Sequence, residues 1–356
     1  MAGIVLKDLV KQFGNFTAVK EINLEIRDGE FLIMVGPSGC GKTTTLNMIS
    51  GLVTPTSGDI TIGERLVTQT EPGERGLGMV FQDLALFPHM SVFENIAFGL
   101  RVKNTPDQEV KERVRQAAEA MHILPLLDKR PSQCSGGEAQ RVALARTIIT
   151  NPSVYLMDEP LSSLDAKLRV DMRTELKGLH ERLGGTFVYV THDQAEAMTM
   201  AERIVVMSGG QIEQLGGPLD IYRKPVSRFV AGFFGMPTMN FLEGEIVAEN
   251  GGPVFVAEQI RVPLANGTPA SLVGRKAALG VRSEHVITGD GTIGGTVRLI
   301  EPLGDATLVF FDYGGPTRLV AKVDPDRSFR PGDNLRFAFD AENCHLFDTD
   351  NGARLN

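Results

Sequence analysis

The sequence predicts an α/β domain over residues 1–235, with a mixed sheet and a helical part near residues 85–150, followed by an all-β domain over residues 236–356. Three observations predict it. As far as about residue 235, short apolar runs alternate with segments of helical periodicity, the pattern of strands and helices built around a largely parallel sheet. Beyond Gly235 the apolar positions recur every second residue: Leu335, Phe337 and Phe339 alternate with Asn334, Arg336 and Ala338. The 356 residues are 42% hydrophobic and 22% charged, ordinary for a chain that buries two cores at roughly 100–200 residues per domain.

The first strand is the run Glu30-Phe31-Leu32-Ile33-Met34-Val35, which ends at Gly36 and suits a strand buried on both faces. A helix pattern follows from Thr43 towards Ser50. Thr105-Pro106-Asp107-Gln108 reads as a helix start, with Thr105 as N-cap, Pro106 as the first helical residue and Gln108 three after the cap. Val110, Val114, Ala117, Ala118 and Met121 then line one helical face. Residues 154–157 and 186–190 form two more buried strands. Between them Leu164, Leu168, Met172, Leu176, Leu179 and Leu183 make a helical stripe that Gly184-Gly185 stops. In the second domain, residues 296–300 and 307–311 are bounded by Gly, Pro and Asp turn signals. Gly244-Glu245-Ile246-Val247 and Gly295-Thr296-Val297-Arg298 open similar stretches, a faint repeat that fits one or two small barrels. Gly235-Met236-Pro237 is the loop signal between the domains.

Charge and composition exclude several classes. Lys and Arg number 36 against 44 Asp and Glu, a net charge of −8, whereas a nucleic-acid partner calls for a basic surplus. No stretch approaches the roughly 18 consecutive apolar residues of a membrane span. The N-terminus lacks the pattern of a signal peptide. Three cysteines, Cys40, Cys134 and Cys344, make a disulfide framework unexpected and point to a reducing cytosol.

The chemistry begins at Gly36-Pro37-Ser38-Gly39-Cys40-Gly41-Lys42-Thr43, which matches the phosphate-binding loop GxxxxGK[ST] between a strand and a helix. Its glycines let backbone N–H groups and a helix N-terminus converge on phosphate oxygens. Lys42 supplies a point charge, and Thr43 a hydroxyl ligand for Mg²⁺. At the end of the next strand stand Asp158 and Glu159, a carboxylate for the Mg²⁺ shell and one for an attacking water. By themselves such residues are also ordinary loop carboxylates; the phosphate loop makes the functional assignment. His192 follows a third strand and precedes Asp193-Gln194-Ala195-Glu196, a capping-box pattern, so it is a helix-entry residue, a surface histidine or a group near a γ-phosphate. Ser135-Gly136-Gly137-Glu138 opens a helix through Gln140, Arg141, Leu144 and Thr147, as a second anion site or as a plain flexible entry.

Taken together, the phosphate loop, Gln82 in Val80-Phe81-Gln82-Asp83, Ser135-Gly136-Gly137, Asp158-Glu159-Pro160, Leu164-Asp165 and Thr191-His192-Asp193 resemble the ATP-binding-cassette ATPases, in that family's order. The resemblance implies two ATP molecules, each with Mg²⁺, sandwiched in a head-to-tail homodimer. Ser135, Gly136 and Gly137 of one subunit would face the γ-phosphate held by Lys42 of the other. The loop from Gly36 to Thr44 would hold the phosphates, Phe13 would stack on adenine, and Asp165 would couple the two sites. Gln82 would stand by Mg²⁺ and the water, in a loop facing a membrane subunit. With Glu159 and His192, Gln82 completes the catalytic set, and with Thr43 and Asp158 the metal set.

The stretch from Met157 to Arg169, that from Thr191 to Gln214 and residues 229–241 are similar to the ATPase subunits of carbohydrate importers, the maltose and glycerol-phosphate type. That resemblance implies a C-terminal regulatory domain of oligonucleotide-binding-like barrels. It also implies two membrane-spanning permease subunits, an extracytoplasmic solute-binding protein, and a peripheral place on the cytoplasmic face of the inner membrane. Residues 280–285 resemble the family's characteristic C-terminal segment, where Arg282 and Glu284 serve either a barrel salt bridge or ligand sensing, and residues 344–348 its usual ending. Three positions depart from the pattern. Cys134 stands for the usual Leu, as a small buried apolar substitute; Glu138 stands for the usual Gln, adding a carboxylate near the trans nucleotide; Ser283 stands for the usual Pro. An importer ATPase for polyamines or inorganic ions shares this architecture. A DNA-repair cassette would insert long coiled coils, and a translation cassette would carry two phosphate loops; neither feature is in the sequence.

Overall fold

The computed structural model describes residues 2–249, 252–265 and 268–356. They form two compact units, Met1–Leu219 and Asp220–Asn356.

In the first unit a six-stranded sheet runs in the order Gln211–Gly216, Arg203–Ser208, Phe31–Val35, Thr186–Val190, Val154–Asp158, Leu77–Val80. All neighbours pair in parallel except the first two, so the sheet is mixed as the sequence predicts. Every residue of Phe31–Val35, Val154–Asp158 and Thr186–Val190 is buried, which is why these strands read as unbroken apolar runs. Their shared direction brings Gly36, Glu159 and Thr191 out at one edge, where open α/β sheets bind ligands. A second, antiparallel sheet has the order Phe16–Ile26, Ile4–Phe13, Ser57–Ile62, Arg65–Leu66. One core joins the two sheets, with Ile4, Leu6, Ile22 and Leu24 from one against Leu32, Met34, Leu156 and Val188 from the other.

Helices Val92–Val102, Asp107–Ala120 and Gly136–Ile148 occupy the stretch expected to be helical. Val110, Val114, Ala118 and Met121 are buried along the predicted face. The helix entry differs from expectation. Pro106 has ψ 141° and is the cap residue, not the first helical one, and no side chain caps the helix. The cause lies upstream: the Thr105 N–H donates to Leu100 O at 3.1 Å, which keeps Thr105 in the turn that ends the preceding helix.

The second unit has a five-stranded sheet, Ile260–Pro263, Gly252–Ala257, Asn240–Glu249, Lys276–Val281, Cys344–Asp348, and a four-stranded one, Leu319–Val323, Thr307–Asp312, Val286–Pro302, Asn334–Phe339. All pairings are antiparallel, around one core that includes Ile246, Phe255, Leu279, Val309, Phe311 and Phe337. Asn240 links the sheets: its amide donates to Val320 O at 2.9 Å and accepts from Val320 N at 2.8 Å. Gly244, in one of the repeated stretches, is a packing glycine, since a Cβ there would lie 2.3 Å from Val256 O. Arg282 is 3% exposed and donates to Phe234 O and Tyr222 O, both at 2.7 Å, with its guanidinium 3.6 Å from the Tyr222 ring centroid. Tyr222 in turn donates to Glu284 at 2.5 Å. The arginine thus binds segment 222–234 to the β unit, which is why this unit begins earlier in the chain than the composition change at Gly235.

Candidate active site

The loop after Phe31–Val35 owes its shape to glycine. A Cβ on Gly36 would lie 2.2 Å from Met207 O, and one on Gly41 2.7 Å from Ala18 O. Gly41, at φ 104°, is the cap of helix Lys42–Ser50, and neither it nor any other side chain caps that end. The first N–H groups of a helix have no partner within it. Left uncapped and without an acidic residue in the first turn, they form a ready anion site. Lys42 is 6% exposed, and its Nζ donates to Gly36 O at 2.8 Å and Pro37 O at 3.0 Å, with Cys40 Sγ at 3.7 Å. The ammonium is therefore held inside the loop by backbone carbonyls that a phosphate oxygen can replace.

From its sequence neighbours Gly39, Gly41 and Lys42, Cys40 is expected to be a reactive thiol that nucleotide shields. The structure corrects that expectation. Cys40 is 4% exposed and packs in the core with Leu46, Met48 and Met207, while its N–H donates to Pro37 O at 3.3 Å. The tight turn points its side chain inward, so the thiol is covered by the protein itself.

Thr43 Oγ1 donates to Asp158 Oδ1 at 3.0 Å, joining the loop to the neighbouring strand end. Asp158 is 8% exposed, and burial pushes its carboxyl above the usual carboxylate range, against the opposing pull of the Thr43 hydrogen bond. A hydroxyl and a desolvated carboxylate that gains from a nearby cation suit Mg²⁺, which binds through one or two carboxylates and keeps several waters. Among the described residues no cluster of three or more His, Cys, Asp or Glu could hold a metal without such help.

Glu159 takes a left-handed backbone, φ 43°, an unfavourable conformation for a side chain of this kind. Its N–H donates to Val190 O at 2.9 Å and its carbonyl accepts from Ser162 Oγ at 2.9 Å, so the surroundings fix it there. The carboxylate lies 3.0 Å from His192 Nδ1. The His192 loop is itself braced. Asp193 caps helix Gln194–Met200 through Ala195 N and Glu196 N and pairs with Arg169 at 3.2 Å. The predicted capping box is half formed, because Glu196 is buried and accepts from the Tyr189 hydroxyl at 2.8 Å.

Lys42, Thr43, Asp158, Glu159 and His192 thus gather at one sheet edge. Gln82 follows strand Leu77–Val80, where Val80 pairs with Met157, so Gln82 and Glu159 each stand two residues beyond a registered pair. Among the described residues, Ser135, Gly136, Gly137, Asp165 and Phe13 make no hydrogen bond to this group. Ser135 caps helix Gly136–Ile148, and Asp165 caps helix Ala166–Leu183 by accepting from Leu168 N at 3.0 Å. Phe13 lies at a hairpin turn, 49% exposed, with Lys11 Nζ 4.9 Å from its ring centroid.

The departures at Glu138 and Cys134 also resolve. Glu138 accepts from Ser135 N at 2.7 Å in a complete capping box, which holds its carboxyl below the usual range. Serine followed three residues later by glutamate is the spacing that reveals such a box, and it applies here. Cys134 is half-buried, not a core residue, because its thiol turns to Arg130 O at 3.6 Å. Two residues the sequence does not flag also shape the site: Arg169, paired with Asp193, and Arg146, bonded to the loop after Gln82.

Known proteins resemble this chain. The ABC transporter family matches residues 19–162, the MalK OB fold domain residues 235–286 and the TOBE domain residues 279–347. An sn-glycerol-3-phosphate import ATP-binding protein of Ruegeria sp. (strain TM1040) is 48% identical over 100% of this chain and 99% of its own. A sulfoquinovosyl glycerol transport ATP-binding protein of Agrobacterium fabrum is 46% identical, with 98% of each chain covered. A maltose/maltodextrin import ATP-binding protein of Vibrio cholerae is 44% identical over 99% of this chain and 96% of its own. Among solved structures, a dimeric post-hydrolysis ATP-binding cassette bound to ADP and Pi aligns at TM-score 0.56 and 33% identity, covering 60% of this chain and 98% of that one.

Proposed function

The chain belongs to the ATP-binding-cassette transporter family, and we infer that it is the ATP-hydrolysing subunit of a multi-subunit membrane importer for a sugar, polyol or glycoside. One observation carries the inference: a nucleotide site at the sheet edge and a β unit of MalK OB and TOBE type occur in a single chain that aligns end to end with importer ATPases. ATP sandwiched in a head-to-tail dimer closes it, hydrolysis reopens it, and separate membrane subunits turn that cycle into alternating access. No helix among the described residues is long and apolar enough to cross a membrane. We therefore assign transport to two permease subunits served by an extracytoplasmic solute-binding protein, with this chain peripheral on the cytoplasmic face.

Within that reading the residues take distinct tasks. Lys42 and the N–H groups of the loop from Gly36 to Thr44 hold the phosphates. Thr43 and Asp158 supply oxygen ligands for Mg²⁺, which when bound neutralises charge on the β- and γ-phosphates. Glu159 takes a proton from the attacking water, Gln82 orients that water beside the metal, and His192 holds Glu159 and faces the γ-phosphate. From the partner protomer, Ser135, Gly136 and Gly137 contribute helix-terminal donors to the γ-phosphate. The exposure of Phe13 supports its stacking on adenine, and Asp165 connects the two sites. A cavity of about 590 Å³ lined by Leu52, Leu77, Phe81, Ala85, Phe87 and Phe98 lies beside the Gln82 loop and supports docking of a permease there.

The test is ATPase activity of the assembled transporter in lipid vesicles. A binding protein loaded with a sugar or polyol is expected to stimulate it. Stimulation by a polyamine or an inorganic ion instead would overturn the cargo assignment. We further propose that the chain is built of two separate domains, each unit having its own core, with segment 222–234 packed on the second although it precedes the composition change at Gly235. A chain ending at Gly235 is then expected to fold and bind ATP, with regulation or dimer contacts suffering more than ATP binding. An unfolded circular dichroism spectrum would refute the split.

A further inference from the structure

The turn after Gln82 is strained and held from a distance. Leu84 and Ala85 both take left-handed backbone, φ 61° and 45°, although neither is a glycine. L side chains disfavour that conformation, so it persists only where the surroundings impose it. Here the carbonyls of these two residues accept the two arms of one guanidinium: Arg146 Nη2 donates to Leu84 O at 2.7 Å and Nη1 to Ala85 O at 2.6 Å. The planar fork fits a pair of adjacent acceptors in a way that a single ammonium cannot. The guanidinium also lies 5.8 Å from the Phe87 ring centroid. Phe87 is fixed in turn by Asn95, which is fully buried, accepts from Phe87 N at 2.8 Å and donates to Phe87 O at 3.1 Å. Arg146 rides on the last turn of helix Gly136–Ile148, the helix that begins at Ser135.

We propose that Arg146 is the positioning residue of the Gln82 loop, setting the reach of Gln82 through the two carbonyls that follow it. The proposal rests on the role given to Gln82 above. It ties the Gln82 loop to the last turn of the helix that starts at the Ser135–Gly137 segment.

The test is a double-mutant cycle on the full-length chain, read as kcat, KM for ATP and the Mg²⁺ concentration giving half-maximal rate. Arg146→Lys keeps the charge and loses the fork. A misplacement of about 1 Å costs as much as ~10²-fold in rate, and we expect a fall in kcat of roughly tenfold. KM should stay within about twofold, because uniform binding of ATP is untouched. The half-maximal Mg²⁺ concentration should rise, which a general loss of stability would not produce. Gln82→Ala should lower kcat, and adding Arg146→Lys to it should cost nothing more, since both act through one side chain. Additive losses, or an Arg146→Lys enzyme with unchanged kcat, overturn the proposal while leaving Gln82 in place. A Gln82→Ala enzyme with full activity overturns the role of Gln82 and the proposal with it. Should Arg146→Lys fold poorly, Arg146→Gln, which keeps amide donors without the fork, is read against the same outcomes.

Discussion

Glu159→Gln is expected to bind ATP with unchanged affinity and to hydrolyse it about 10²–10⁴-fold more slowly, the usual cost of losing a general base. The substitution keeps the shape of the site. Gln is isosteric, and its amide oxygen can accept from His192 as the carboxylate does at 3.0 Å. The left-handed backbone at φ 43° is held by bonds from Glu159 N to Val190 O and from Ser162 Oγ to the Glu159 carbonyl, and these do not depend on the side chain. What disappears is basicity. ATP that is bound across two protomers and not consumed stabilises their association by mass action, so the variant should run as a dimer with MgATP and dissociate without it. Turnover at the wild-type rate would falsify the role of Glu159.

Lys42→Ala should fail at the opposite step. Nζ is buried with Gly36 O, Pro37 O and Cys40 Sγ around it, so the ammonium both shapes the loop and supplies positive charge for phosphate. Hydrogen bonds to charged groups contribute about 1.5–3 kcal/mol each. Losing one of them weakens ATP binding by roughly ten- to a hundredfold, and losing two weakens it further. Titration calorimetry checks the loss directly, and a native thermal transition separates it from misfolding. Affinity within about twofold of the wild type would contradict the phosphate-loop assignment, since twofold is far below the loss of even one such bond. The two variants therefore divide the cycle, with Lys42→Ala failing before nucleotide is held and Glu159→Gln after.

Some of this site is legible because its chemistry is local. The phosphate loop places glycines, Lys42 and Thr43 within eight residues, and a strand–loop–helix frame gives those residues one arrangement. The strand ends at Asp158-Glu159 and at His192 follow from fully buried runs, and the β unit from alternation. The capping box at Ser135 and Glu138 is equally local and can be read from spacing. Cys40 is different. Its neighbours in sequence predict a reactive thiol, but the burial of its side chain depends on the core behind the loop, which also includes Leu46, Met48 and Met207.

By itself the sequence marked the candidate residues for phosphate chemistry and several of the strands and helices, because each of those signals spans a single turn of backbone or one repeat of hydrophobic pattern. Only the tertiary structure decided who meets whom. Thr43 and Asp158 are 115 residues apart, Arg146 and the carbonyls it holds more than 60, and Arg282 lies 60 from Tyr222 and 48 from Phe234. An arginine with several rotatable bonds has no preferred partner until packing desolvates it beside two oriented carbonyls, and that environment exists only after the distant segments have closed around a common core.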